Sequence, residues 1–331
     1  MTRKWCVIIL ALAAVCLLFP ACLTAGAVDI PAADVWKILT GGEPSRKVWS
    51  AIVLDIRLPM TLCSALAGMA LAVSGLLMQT LFRNPLAGPS IMGISSGASL
   101  GVALVILAGA GAGIGALGGA LAGAMAIMCL LLTLAGRVSS GAMLLIVGVL
   151  IGYLASSAIS LLSYFAPQQS VHAFVVWGLG NFSSVPRGDM PVFASLVLVF
   201  TAWSAFYIKP LDALLLGERY AAASGVNLRA VRLGILWLSG VLAAVVTAWC
   251  GPIAFIGMAV PHMARLALGT SRHIWLLPCT AAIGTVTGLL TAWLSVIPLT
   301  SGVLPVNAIT PMLGIPVVLY IIIKGNRSAY D

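Results

Sequence analysis

The chain is 331 residues long, 61% hydrophobic and only 8% charged, and its mean hydropathy is +1.14. Soluble domains carry about 25% charged residues, so a water-soluble enzyme or binding domain is excluded. The net charge of +9 does not indicate nucleic acid either, because the basic residues are scattered over separate short segments rather than gathered on one face.

In chain order, apolar stretches fall near 5–26, 59–81, 91–109, 113–135, 141–165, 191–208, 229–249, 253–269, 274–294 and 304–323. Most approach the length a helix needs to cross roughly 30 Å of hydrocarbon. The expectation is an all-α, polytopic membrane protein: one transmembrane domain over 1–331, about ten helices in a compact bundle. An even count puts both termini on one side, and charge selects the side. With the N-terminus inside, Arg3, Lys4, Arg83, Arg137, Lys209, Arg219, Arg229, Arg232, Arg265, Arg272, Lys324 and Arg327 face the cytoplasm against Asp212, Glu218 and Asp331. The outer loops balance, with Lys37, Arg46, Lys47, Arg57 and Arg187 against Asp29, Asp34, Glu43, Asp55 and Asp189. Both termini are therefore expected to be cytoplasmic.

The first stretch, opened by Thr2-Arg3-Lys4 and closed by small residues at 25–27, also fits a cleavable signal peptide. An uncleaved span is favoured, since its removal would leave an odd count. The second span ends at Asn84-Pro85-Leu86-Ala87, where Pro85 and Pro89 break the helix; irregular backbone at that depth is tolerable only where it lines a cavity or is covered by protein. Gly93-Ile94-Ser95-Ser96-Gly97 fits G-x-S-x-G, with His262 as the conceivable base of an intramembrane serine hydrolase. A nucleophile elbow follows a strand, however, whereas this segment follows a Pro/Asn turn and opens a membrane helix. Gly111, Gly115, Gly119 and Gly123 form a smooth stripe that lets helices approach closely in lipid.

The cysteines Cys6, Cys16, Cys22, Cys63, Cys129, Cys250 and Cys279 lack C-x-x-C spacing and read as small hydrophobes. His172, His262 and His273 are too scattered for a metal pattern, so no metal site and no cofactor of the chain's own are expected. No predicted span holds an acid, which weakens an ion-coupled secondary carrier working alone. Nor is there a G-x-x-x-x-G-K-[ST] loop to hold a nucleotide.

One polar island interrupts the apolar chain: KPLDALLLGERYAAASGVNLRAVR at 209–232. Pro210 is expected to stop the preceding helix, and a short helix after Gly217 ends at Gly225, a plausible C-cap. Such a helix either rests on headgroups or plugs into a soluble partner and moves as a lever. On physics the two readings stand level.

LLLGERYAAASGV at Leu214–Val226 resembles the coupling segment of ABC importer permeases of the FecCD or BtuC-like family. Arg57-Leu58-Pro59 resembles the family's R-L-P entry, and GMALAVSGLLMQTLFRNPLAGPSIMGISSGASLG at Gly68–Gly101 its longest signature. Trp177-Gly178-Leu179-Gly180 with Phe182 resembles its outer W-x-x-G element. GPIAFIGMAVPHMARLALG at Gly251–Gly269, with Pro261, His262 and Arg265, resembles its G-P-I…P-H-x-x-R block, and LPVNAITPMLGIPVVLYIII at Leu304–Ile323 its closing span.

The resemblance implies a permease for iron-siderophore, haem or cobalamin in the bacterial inner membrane. Its implied partners are a second permease subunit, identical or paralogous, two cytoplasmic ATPases that bind ATP and Mg, and an extracytoplasmic binding protein. It implies that Leu216, Gly217, Glu218, Ala221 and Gly225 sit in the ATPase cleft, with Arg219 outside the match as a surface charge. Asn84 and Leu86, with Ser139 and Ser140 from the next inner loop, match the cytoplasmic gate. Arg57 matches a docking arginine for the binding protein, and His262 is read as a structural hydrogen-bonding residue. The chain departs from the pattern at Met60, Ala292 and Val296, where docking charges are usual, at Val303, where a glutamate is, and at Asn307, where a glycine is.

Overall fold

The computed structural model describes residues 2–110, 113–137, 141–296 and 303–327. Among them every regular element is helical: α1 (Thr2–Thr24), α2 (Ala32–Leu39), α3 (Lys47–Ala51), α4 (Leu58–Leu81), α5 (Ile94–Ile106), α6 (Gly115–Ala135), α7 (Gly141–Phe165), α8 (Gln168–Gly178), α9 (Met190–Trp203), α10 (Ile208–Leu215), α11 (Glu218–Ala223), α12 (Leu228–Cys250), α13 (Ile256–Leu268), α14 (His273–Ser295) and α15 (Val306–Arg327). A π-turn at Ile52–Arg57 joins α3 to α4, and 3₁₀ turns occupy Phe182–Ser184 and Ser204–Tyr207. Seven stretches are long and apolar enough to cross a membrane: Arg3–Thr24, Lys47–Leu81, Gly115–Ala135, Gly141–Phe165, Met190–Leu215, Leu228–Cys250 and His273–Ser295. The other three expected spans coincide with shorter apolar helices, Ile94–Ile106, Ile256–Leu268 and Val306–Leu319.

Hydrogen bonds fix the relative directions. Arg3 donates to the carbonyls of Leu266 and Ala267 at the end of α13, both at 3.2 Å, and Lys4 lies over the Trp275 ring near the start of α14. Cys22, at the other end of α1, donates to Leu289 at 3.3 Å, so α1 and α14 run parallel. Thr80, ending α4, meets His273, which opens α14, so these two run antiparallel. That alternation is the one expected from span order.

The packing is made by glycine. Gly68 on α4 lies against Gly284 and Gly288 of α14, and Gly75 against Gly257 of α13. From the expected stripe, Gly119 and Gly123 meet Gly101 and Gly97 of α5, whereas Gly115 faces open space and Gly111 lies outside the described residues. Close backbone approach of this kind supplies van der Waals contact where lipid offers no hydrophobic gain.

Two expectations change. Pro210 does not stop a helix: the chain stays helical from Met190 to Leu215, tightening through the 3₁₀ turn, and Pro210 falls in the first turn of α10, where its missing N–H leaves no intrahelical bond unmade. The helices α2, α3 and α8 were not anticipated.

The helices α5 and α13 have 13 residues each, about 20 Å. Each opens at a G-P…G frame, 88–93 and 251–257, and each is entered through a positive-φ residue, Gly93 at 76° and Phe255 at 68°. For a phenylalanine that conformation costs about 1–3 kcal/mol, so packing must hold it. The two frames meet, with a Cβ placed on Gly257 lying 3.4 Å from Pro89 Cδ.

Candidate functional site

Three adjoining cavities share wall residues along one side of the bundle. The largest, about 480 Å³, is lined by Ser90, Ser95, Ser96, Ser99, Ser156 and Ser160, with Phe174, Trp177 and Asn307 at one end. Ser90, Ile253 and Ala254 are shared with a second, about 180 Å³, enclosed by the two irregular frames. Leu86 and Ile91 are shared with a third, about 270 Å³, which reaches Asn84. The walls are apolar or carry neutral polar groups, the serine hydroxyls and the amides of Asn84 and Asn307, and no charged side chain among the described residues. Ser95 Oγ lies 3.4 Å from Thr247 Oγ1, while the His262 imidazole is engaged elsewhere, so the Ser95–His262 pair of a hydrolase is not assembled.

At the Asn307 end, a single amide closes the structure. Asn307 Nδ2 donates to Pro252 O (2.5 Å) and Gly178 O (3.2 Å), and its Oδ1 accepts from Ala254 N (3.2 Å). Its backbone N–H reaches Leu179 O at 3.1 Å, and Asn181 N reaches Cys250 O at 2.9 Å. The W-x-x-G segment, the break before α13 and the start of α15 are thereby tied together. Cys63 and Cys250 lie alongside as thiols with sulfurs 3.2 Å apart. An Asn307→Gly variant loses three hydrogen bonds of about 1 kcal/mol each. Amide exchange over 178–181 and 252–254 should then rise roughly tenfold or more, measured by hydrogen–deuterium exchange; unchanged exchange would show that the backbone bonds suffice.

At the opposite end, the chain leaves α4 through Arg83, with φ 47°, into a turn in which Asn84 Oδ1 accepts from Leu86 N at 2.9 Å. Leu86 is 43% exposed. His262 Nε2 lies 2.8 Å from Pro85 O; as that partner is a carbonyl, the nitrogen donates. Arg265 Nη1 donates to Gln79 Oε1 (2.6 Å), and Gln79 Nε2 to Met258 O (2.9 Å). Met258, His262 and Arg265 of α13 thus clamp the end of α4 and the turn beyond it, while Pro261 lies buried within the helix. Ser139 and Ser140 lie outside the described residues.

The polar island sits at this same end. After α10, Gly217 adopts φ 114°, ψ 153° and starts α11. Gly225, φ 85°, ends it: Val226 N bonds Ala221 O and Gly225 N bonds Ala222 O, both at 3.0 Å, the paired bonds of a Schellman cap. Asn227 then caps α12 through Ala230 N, 3.0 Å. Ala221 is fully buried, while Leu216 and Tyr220 are 66% and 53% exposed. Glu218 pairs with Arg232 at 3.2 Å. The outcome is a short, rigidly capped helix with an apolar knob on its open side.

Arg57 is a correction. It was expected on a docking surface, but it is 4% exposed, and its guanidinium donates to Leu23 O (3.0 Å), Thr24 O (2.8 Å) and Val28 O. A cation there satisfies the carbonyls left open at the end of α1. The basic residues that do face solvent nearby are Lys37, Arg46, Lys47 and Arg187, the last paired with Asp55 at 2.8 Å, among the exposed acids Asp29, Glu43 and Asp55. Ser45, through its backbone N–H and hydroxyl, and Lys37 hold the Asp34 carboxyl below the usual carboxylate range, pinning the 40–46 loop beside Lys37.

Sequence comparison places the same segments in a known context. The model of the FecCD transport family matches residues 11–324. The hemin transport system permease protein HmuU of Yersinia pestis is 35% identical over 311 residues, covering 92% of this chain and 91% of its own. The vitamin B12 import system permease protein BtuC of Citrobacter koseri is 35% identical over 307 residues, 92% of each. Among solved structures, one described as an inward-facing conformation of a metal-chelate type ABC transporter superposes with a TM-score of 0.85 at 25% identity, over 96% of this chain and 98% of that one.

Proposed function

The chain belongs to the FecCD transport family, and from that premise we propose that it is the permease subunit of an ATP-driven importer moving a metal chelate across the bacterial inner membrane. The cargo class is iron-siderophore, haem or cobalamin. The observation that carries this reading is the row of linked cavities running from Trp177 and Asn307 to the Asn84–Leu86 turn, with the capped helix α11 projecting at the second end.

In this reading the ten apolar helices all cross the membrane, both termini and α11 are cytoplasmic, and a second permease subunit supplies the facing half of the path. Leu216, Gly217, Glu218, Ala221 and Gly225 form the surface that enters the cleft of a partner ATPase, which holds ATP and Mg. Hydrolysis then tilts the helices between outward and inward opening. Asn84 and Leu86, joined by Ser139 and Ser140, narrow the cytoplasmic exit. Lys37, Arg46, Lys47 and Arg187 take the docking role on the outer face, where exposed charges steer encounter more than they add affinity. A weakly adhesive path of hydroxyls and apolar groups leaves selection of the chelate to the binding protein.

The competing reading is a carrier working alone. Reconstituted with its ATPase and binding protein, the importer should stop when vanadate blocks hydrolysis. Uptake that survives vanadate, by a chain purifying without any ATPase, would support the lone carrier and end the proposal.

A further inference from the structure

The α10–α11 segment is tied to the bundle by few polar bonds, and the shortest run through one buried imidazole. Asp212 Oδ1 on α10 accepts from the backbone N–H of His273 (2.8 Å) and from its Nδ1 (2.7 Å). His273 is 0% exposed. Its other nitrogen, Nε2, lies 3.0 Å from Thr80 Oγ1 in the last turn of α4. The carboxylate thus holds both the first amide of α14 and the ring, while the ring holds α4. The ring is sheltered from water, where hydrogen bonds are strong and directional, while the Asp212 carboxylate is 33% exposed; the three groups are joined through the buried ring as one strut. Among the described residues a second tie, Glu218 to Arg232, reaches α12 rather than α4 and starts from a carboxylate 52% exposed, where ion pairs contribute little.

The strut ends beside the turn that the proposed function makes the cytoplasmic exit. Thr80 is flanked by Gln79, whose carbonyl accepts from Asn84 N at 3.2 Å and whose side chain joins Met258 and Arg265 on α13. From α13, His262 returns to Pro85 within the turn. Displacing α10 must therefore either break the strut or drag the end of α4, and with it Asn84 and Leu86.

We propose that Asp212, His273 and Thr80 transmit movement of the α10–α11 segment to the Asn84–Leu86 constriction, acting as positioning residues for coupled transport. This rests on the coupling role given to α11 above.

The test uses the complete importer in proteoliposomes, offered haem, cobalamin and a ferric hydroxamate chelate, and reads cargo imported per ATP hydrolysed. Thr80→Val keeps the shape and removes the hydroxyl; it should leave hydrolysis near the wild-type rate and lower import per ATP about tenfold. Thr80→Ser should restore it. Asp212→Ala, which removes the oxygen that accepts both His273 bonds, should resemble Thr80→Val, and the double variant should be no worse than either alone, since both cut one strut. If Thr80→Val does not assemble, His273→Asn, which keeps a donor towards Asp212 but cannot reach Thr80, takes its place. Wild-type import per ATP, additive losses in the double variant, or hydrolysis and import falling by the same factor would each overturn the proposal. Gly217→Pro in the same vesicles separates the two levels: normal import there removes the coupling role of α11 itself, whereas uncoupling there with a normal Thr80→Val removes only the strut.

Discussion

Gly217→Pro is expected to leave the protein in the membrane, leave its partner hydrolysing ATP, and cut import at least about tenfold. Gly217 stands at φ 114°, ψ 153°, a region open essentially to glycine. Its N–H donates to Leu214 O (3.1 Å), closing α10, and its carbonyl accepts from Ala221 N (3.0 Å), opening α11. Proline fixes φ near −65° and has no N–H, so it removes the first bond and cannot make the turn. Leu216 and Glu218 then leave the positions set by Ala221 beneath and the Gly225 cap behind. The surrounding helices do not depend on that turn, because Asn227 caps α12 independently. Glu218→Ala should act in the same direction but less strongly, as it removes one exposed ion pair and leaves the backbone intact. The measurement is chelate uptake and phosphate release in the same vesicles; normal uptake with Gly217→Pro would remove the coupling role.

The long helices were legible because a crossing length of apolar residues is a one-dimensional signal, and each of the ten stretches holds a helix close to its expected bounds. The short helices were not. The helix α2 exists because Val35 and Ile38 pack with Leu23, Ile30 and Val53, a contact that needs the chain on both sides of it already folded. Arg57 misled for a related reason: an arginine at the mouth of a span looks the same in sequence whether it faces a partner or the carbonyls ending α1. The glycine at position 26 was the available hint, since a Cβ there would lie 2.8 Å from the Arg57 guanidinium. Asn307 was visible only as a departure from glycine, and its three bonds depend on two loops that approach it from 55 and 129 residues away. His273 carried no motif at all, and only the fold brings it between Asp212 and Thr80. The structure sets the two G-P…G frames against each other around one cavity.

The largest loss of stability is expected at a position with no side chain. Gly75→Ala should destabilise the protein by about 3 kcal/mol or more and sharply reduce the amount accumulating in the membrane. A Cβ on Gly75 would lie 2.5 Å from the carbonyl carbon of Gly257 and 2.7 Å from its Cα, with the carbonyl oxygen closer still. Those atoms are backbone, so no rotamer change relieves the clash; α4 and α13 must separate. Separation reaches further than packing, because Gln79 lies one turn beyond Gly75 and its bonds to Met258 and Arg265 span the same interface. Gly136→Ala, where the added carbon would be 3.4 Å from the nearest atom, an Arg229 side-chain nitrogen, is the matched control and should be near neutral. Thermal unfolding in detergent and membrane yield measure both. A Gly75→Ala protein with the control's stability would mean that α4 and α13 do not cross at Gly75, and the clamp that joins α13 to the Asn84–Leu86 turn would lose its foundation.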